Sequence, residues 1–202
     1  MAGIGLYGVY YSKGVITDGV LTGYSGVKQM GKAISATFEP AETDDNSLYA
    51  NNGIAERDAS ASSGGTLTLT LDRLSEDAYA DLFGLTKKTI TVEPTPGAGF
   101  TGTGFDYEGD ELSAPVGVAF IRWAQEDNDR AHHQAVIFSY VTFAPPSDEY
   151  QTKGESVEWQ TPEIEGTVSG SAVTGSLPWK RVFDFTSQGD AITFIQQTFA
   201  AS

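Results

Sequence analysis

Cysteine is missing from this sequence of 202 residues, which excludes disulfides, a thiol nucleophile and cysteine-built zinc sites at once. Histidine is nearly missing. His132 and His133 are the two present, and adjacent residues of a strand point to opposite faces, so they do not readily ligate one metal ion together. Lysine and arginine are scarce, 12 against 27 acidic residues, for a formal net charge of -15. Affinity for phosphate rests on clustered basic side chains, so this balance argues against a protein that grips nucleic acid. A solvated acidic surface that aids solubility is the plain explanation, and a specific electrostatic role stands beside it. No apolar run approaches the ~20 residues of a membrane-spanning helix, and Met1 to Tyr11 lacks the basic cluster and apolar stretch of a secretory signal. The expectation is a soluble protein of the cytoplasm in which it is made, with no membrane partner.

What the sequence does contain is alternation with period two, the mark of half-buried strands. In Gly65 to Asp72, Leu67, Leu69 and Leu71 point one way while Thr66, Thr68 and Thr70 point the other. Further strands are predicted from Lys32 to Glu39, Lys88 to Glu93, Pro115 to Trp123, His132 to Phe143 and Val157 to Val168. The run around Val136, Ile137, Phe138, Tyr140 and Val141 is apolar on both faces and belongs in the centre of a sheet. Pro162 cannot donate to a ladder, so it suggests an edge or a bulge, where another chain can add on. Two short helices are expected. One covers Ser75 to Phe83, with Ser75 as N-cap, Glu76 and Asp77 in the first turn and Gly84 ending it. The other lies near the C-terminus, capped by Asp190, with Ile192, Ile195 and Phe199 at helical spacing. The fold class is therefore mainly β: a β-sandwich or partial barrel with one or two short flanking helices, in a single domain over 1–202. Polar composition makes 40–65 a long loop, and glycine and proline make 94–109 a second one.

Several patterns that resemble chemistry lack the context it needs. Gly97, Gly99 and Gly102 spell a dinucleotide fingerprint, but Pro94 and Pro96 intervene and no helical period follows. Asp127, Asn128 and Asp129 open like a calcium loop without its glycine and closing glutamate, and are read as a turn between Trp123 and Ala135. Glu163 and Glu165 share a strand face roughly 7 Å apart, a spacing that suits glycosidase carboxylates only if a cleft holds them. With no nucleophile elbow and no Ser, His and Asp set, the expectation is a protein without enzymatic activity, metal or cofactor.

The stretch from Gly154 to Thr167, GESVEWQTPEIEGT, closely resembles a signature of major tail proteins from bacteriophages with long non-contractile tails. Other pieces follow in the same order: Gly31-Lys32-Ala33, Leu48-Tyr49-Ala50 with Ala55-Glu56, Gly64 to Leu69, and Leu74-Ser75. The chain departs from that pattern in Pro94 to Gly109 and in Tyr7 to Gly26. The resemblance implies a β-sandwich flanked by a helix, six copies of which close into a ring, with rings stacking into a hollow tube. Implied partners are further copies of the chain, a tape measure protein in the lumen, tail terminator and tail tip proteins, and DNA in transit without specific binding. The implied location is the virion tail, reached from the host cytoplasm.

Two sets of residues are singled out under this resemblance. Leu48, Tyr49, Ile54, Glu56, Arg57, Asp58, Trp159 and Pro162 are expected at contacts between subunits. Glu39, Asp72, Glu158, Glu163 and Glu165 are candidates for lumen charge, where carboxylates repel phosphate and let DNA slide. Two other functions remain open: the tube of a contractile tail or injection machine, and a carbohydrate-binding β-sandwich module that presents aromatics such as Tyr10, Tyr11, Tyr107 and Trp179.

Overall fold

The computed structural model describes residues 2–41, 46–50, 53–58, 64–93, 97–109, 111–125, 132–146, 161–170 and 178–200, with side chains in all of these but 2–4, 46–50 and 53–58. The described residues are mainly β, as the alternation predicts, with two short helices among them. The principal sheet is built from β1 (Ala2–Thr17), β2 (Val20–Gly31), β3 (Ala33–Pro40), β6 (Gly64–Leu71), β9 (Val116–Gln125), β10 (His132–Phe143), β11 (Glu163–Ser169) and β12 (Lys180–Phe185). Its order is β2-β1-β9-β10-β11-β6-β3, and every pairing is antiparallel. Strands β11 and β12 share one side of β10: β12 pairs with His133 to Phe138, and β11 with Val141 to Phe143.

The two terminal strands of that order, β2 and β3, are consecutive in the chain and separated only by Lys32. Asp72 holds this corner, because its Oδ1 accepts the Lys32 amide at 2.8 Å and its own amide donates to the Lys32 carbonyl at 3.0 Å. The sheet therefore curls on itself as a partial barrel, with β1 against β3. Its interior holds Val9, Tyr11, Met30, Leu67, Leu69, Leu71, Val118, Phe120, Phe138 and Ile164.

Strands β9 and β10 are buried on both faces for a simple reason. Val116, Val118 and Phe120 line the interior, whereas Ala119, Ile121, Ala135 and Ile137 face α2 (Gln188–Ala200) through Ala191, Ile195 and Phe199. The other helix, α1 (Glu76–Phe83), buries Ala78, Leu82 and Phe83 in the interior cluster. Ser75 caps it by accepting the Ala78 amide, and Gly84 ends it at φ 69°, as the sequence predicts. For α2 the expected cap is corrected. Ser187 stands before the helix and accepts the Asp190 amide, so Asp190 lies within the first turn and accepts the Ser187 hydroxyl in return.

Four other expectations change. The N-terminal segment, left unassigned by alternation, forms the long hairpin β1–β2, whose register shifts at several points. One such shift, between Tyr7 and Val9, flanks Gly8 at φ 53°, with the Tyr10 ring about where a side chain would go. The 40–65 segment is not a plain loop, since β4 (Asn46–Ala50) and β5 (Gly53–Asp58) pair within it. The 94–109 segment contains β8 (Phe100–Phe105), which pairs with β7 (Lys87–Val92). Finally, Pro162 marks no edge: β11 lies between β10 and β6, and the Pro162 carbonyl accepts the Leu71 amide at 3.1 Å. A proline at the entry of an inner strand loses nothing there, because only its acceptor is used.

Candidate functional site

The alternating sequence of β6 sends Leu67, Leu69 and Leu71 into the core and leaves Thr66, Thr68 and Thr70 on the outer face. Its two neighbours obey the same rule. In β11, Ile164, Gly166 and Val168 point inward while Glu163, Glu165 and Thr167 are exposed. Gly166 is required on the inner side, because a Cβ there would come within 2.8 Å of Val141 and Phe143. In β3, Ser35, Thr37 and Glu39 are exposed.

Register then assembles these side chains into rows across three strands. Glu163 stands opposite Thr70 and Thr70 opposite Ser35; Glu165, Thr68 and Thr37 form the next row; Thr167, Thr66 and Glu39 the third. The Ser35 and Thr70 hydroxyls are hydrogen bonded at 2.8 Å. The result is a polar surface of hydroxyls and three carboxylates with no cation in the rows. Neighbouring strands lie ~4.8 Å apart and same-face residues ~7 Å apart, so the carboxylates are spread rather than clustered.

Of the expected lumen charges, Glu39, Glu163 and Glu165 therefore come together on one face. Asp72 does not join them. It sits at the corner after β6, where hydrogen bonds from the Lys32 and Arg73 amides, against a small cost of burial, hold its carboxyl below the usual range. Its role there is to fix the corner, and Lys32 and Arg73 put positive charge beside it. Glu158 and Trp159 lie outside the described residues, as does the resemblance signature before Thr161. Leu48, Tyr49, Ile54, Glu56, Arg57 and Asp58 all fall on β4–β5, with Tyr49 opposite Ile54 and Leu48 opposite Glu56. Pro162 stands at the entry of β11, where its carbonyl accepts the Leu71 amide.

The aromatics considered for glycan binding are dispersed. Tyr11 is buried and donates to Asp81 at 2.9 Å, Tyr107 meets the Tyr79 hydroxyl, and Trp179 packs on Phe38. Burial and the neighbouring Asp81 raise the Tyr11 pKa well above the usual phenol. Burial works against ionisation of Asp81, but hydrogen bonds from Lys28 and Tyr11 outweigh it and hold the carboxyl below its ordinary value. This cluster ties the hairpin β1–β2 to α1 and is structural.

Among the described residues no group of three or more His, Asp or Glu could hold a metal ion. A cleft of about 340 Å³ beside Gly84 is lined by Lys88, Asp106, Glu108 and Glu111, but these groups satisfy one another. Lys88 Nζ lies 3.0 Å from both Asp106 and Glu108, and Glu111 accepts the Glu108 and Gly109 amides. Compared with models of known protein families the chain matches none, and no match is found among curated proteins.

Sequence reasoning missed the hydroxyl partners of the acidic face, Ser35, Thr37 and Thr167. The signal was present in the alternation of each strand. Pairing order, which decides that β3, β6 and β11 lie side by side, was not.

Proposed function

We propose that this chain is a structural subunit of a hollow protein tube, the major tail tube protein of a bacteriophage with a long non-contractile tail, and that it works without catalysis. The observation that carries the reading is the outer face of β3, β6 and β11, where Glu39, Glu163 and Glu165 stand among serine and threonine hydroxyls with no cation in the rows. Turned toward a lumen, such a face repels the phosphates of passing DNA and keeps water along the wall. A second support is where part of the resemblance falls: Gly31 to Ala33, Gly64 to Leu69 and the described end of the Gly154 to Thr167 signature map to β3, β6, β11 and the turns beside them, whereas Leu48 to Ala50 and Ala55-Glu56 fall on β4–β5 and Leu74-Ser75 precedes α1. The pieces on β3, β6 and β11 are distant in the chain and lie in one sheet.

Assembly must overcome charge. Six copies at -15 each bring -90 to a ring, and exposed ion pairs return only about 0 to 1 kcal/mol apiece, so strand pairing and apolar burial carry the association. Added salt shortens the screening length, ~8 Å at physiological ionic strength, and should favour rings and stacks. Negative-stain microscopy of the purified protein over a concentration and salt series tests this. Hollow rings or tubes are expected, more abundant with salt; a strictly monomeric protein at millimolar concentration in every salt condition overturns the reading.

A further inference from the structure

The ribbon β7–β8 finds little reason within its own chain. A two-stranded ribbon is marginal in water, yet among the described residues β7 and β8 pair only with each other. Its base is anchored: Phe105 packs on the interior cluster and on Tyr79, with ring centroids 5.6 Å apart, and Lys87 pairs with Glu76. Beyond that base every β7 residue is exposed. Register sorts the ribbon into two faces. Thr89 and Thr91 oppose Thr103 and Thr101 on one, while Ile90 opposes Gly102 and Val92 opposes Phe100 on the other. Ile90, Val92 and Phe100 are 59%, 38% and 58% exposed. Such an apolar face turned to water marks an interaction site.

Charge indicates what covers it. From Thr89 to Phe105 the single charged residue is Glu93, in a chain of net charge -15. Two copies repel one another over most of their surfaces, and this ribbon is a place where they approach with little repulsion.

A matching surface lies on β12. The Ser139 amide donates to the Trp179 carbonyl, and Arg181 stands opposite Ile137 and Phe183 opposite Ala135. That register points the backbone of Arg181 and Phe183 at β10 and turns the N–H and C=O groups of Lys180, Val182 and Asp184 outward. Among the described residues no strand pairs with that outer edge. Phe183 is 50% exposed beside Phe194 of α2, and Lys180 and Arg181 against Asp184 leave β12 net positive, so it attracts Glu93.

We propose that β7 of one copy adds to the open edge of β12 in a second copy, so that Ile90, Val92 and Phe100 extend the face that carries Phe183. Backbone pairing gives direction and the apolar face gives affinity. Because ribbon and edge are different surfaces, the contact is head-to-tail and repeats, closing a ring where the rotation allows. This deepens the tube reading and rests on it for the repetition.

The absence of cysteine makes the test direct. Val92→Cys and Arg181→Cys variants are mixed under assembly conditions and treated with a short thiol-to-thiol linker, then Ile90→Asp is compared with wild type by sedimentation and thermal melting. The expected result is a crosslinked Val92→Cys with Arg181→Cys dimer in clear excess over either self-pair, and association of Ile90→Asp at least tenfold weaker at an unchanged melting midpoint. Dominant self-pairs, no crosslink in a sample that assembles, or an Ile90→Asp variant that assembles like wild type overturns this contact alone. A wild-type protein that never self-associates overturns the contact and the tube reading together.

Discussion

Replacing Gly117 by alanine tests the two-sided packing of β9. A Cβ built at this position lies 2.3 Å from the Phe199 ring and 2.8 Å from that of Tyr24. Ordinary carbon contacts begin near 3.5 Å, so one ring must withdraw by roughly 1 Å. Neither is free to do so. Phe199 is buried against β9 and β10, and Tyr24 meets it edge-on at 4.8 Å while donating to the Ser139 carbonyl at 2.6 Å. Overpacking of this kind costs about 1 to 3 kcal/mol, which for a chain of this size lowers the melting midpoint by roughly 2 to 12 °C. The control is Gly104→Ala, where nothing lies within 4 Å and φ is not positive; it should stay within ~0.5 kcal/mol of wild type. Urea and thermal denaturation report both variants, and Phe199→Leu in the Gly117→Ala background should recover part of the loss, since neighbouring substitutions are not additive. A Gly117→Ala protein as stable as Gly104→Ala refutes the docking of α2 on this face.

Three further outcomes are expected. Asp81→Asn should cost about 1 kcal/mol at neutral pH, a figure reduced because Lys28 and Lys13 are half exposed. A lowered carboxyl pKa stabilises above the ordinary carboxylate range and loses that effect as pH falls through the lowered value, so urea titrations of wild type and variant should converge in acid and stay apart at pH 7. Burial pushes the Tyr24 phenol up to about 12, against an ordinary value near 10; stability should fall as pH rises from 10 to 12, and Tyr24→Phe should flatten that alkaline limb, whereas an unchanged limb contradicts the assignment. Reversing Glu39, Glu163 and Glu165 to lysine changes the net charge from -15 to -9, three reversals of two charges each. The assembled variant should then retain DNA in a salt-dependent way, by up to ~0.9 in log-log slope per phosphate contact, while wild type retains none; equal retention by both removes the acidic face from DNA passage.

What could be read from the chain depended on whether alternation survived locally. In β6 it runs unbroken and both inward and outward residues were assigned correctly, and in β11 the shared outer face of Glu163 and Glu165 was read correctly. In β1 and β2 each register shift reverses the phase, so residues spaced by two cease to share a face and the pattern dissolves although the strands run to 16 and 12 residues. β8 failed for another reason: Gly102 and Gly104 occupy alternate positions and supply no side chain to register, so FTGTGF reads as loop. The hairpin signal Asn52-Gly53 ahead of β5 was available and was outweighed by polar composition. For the acidic face, its members were legible and its assembly was not, because neighbours in the sheet are chosen by long-range pairing.

The corner at Lys32 has a mechanical meaning. In an open sheet the outermost strand can be peeled away while the rest persists, and fraying proceeds one rung at a time from either border. Here the two borders are the same stretch of chain, bent once and clasped by Asp72. Pulling β3 off β6 loads the rungs between β2 and β1, so tension applied on one side is shared around the hoop. The ends β2 and β3 of the strand order therefore resist being peeled separately, while β12 keeps an outer edge with no partner strand among the described residues. Amide exchange in β2 and β3 should therefore speed up together when the clasp is removed by Asp72→Ala, where an ordinary border would loosen by itself.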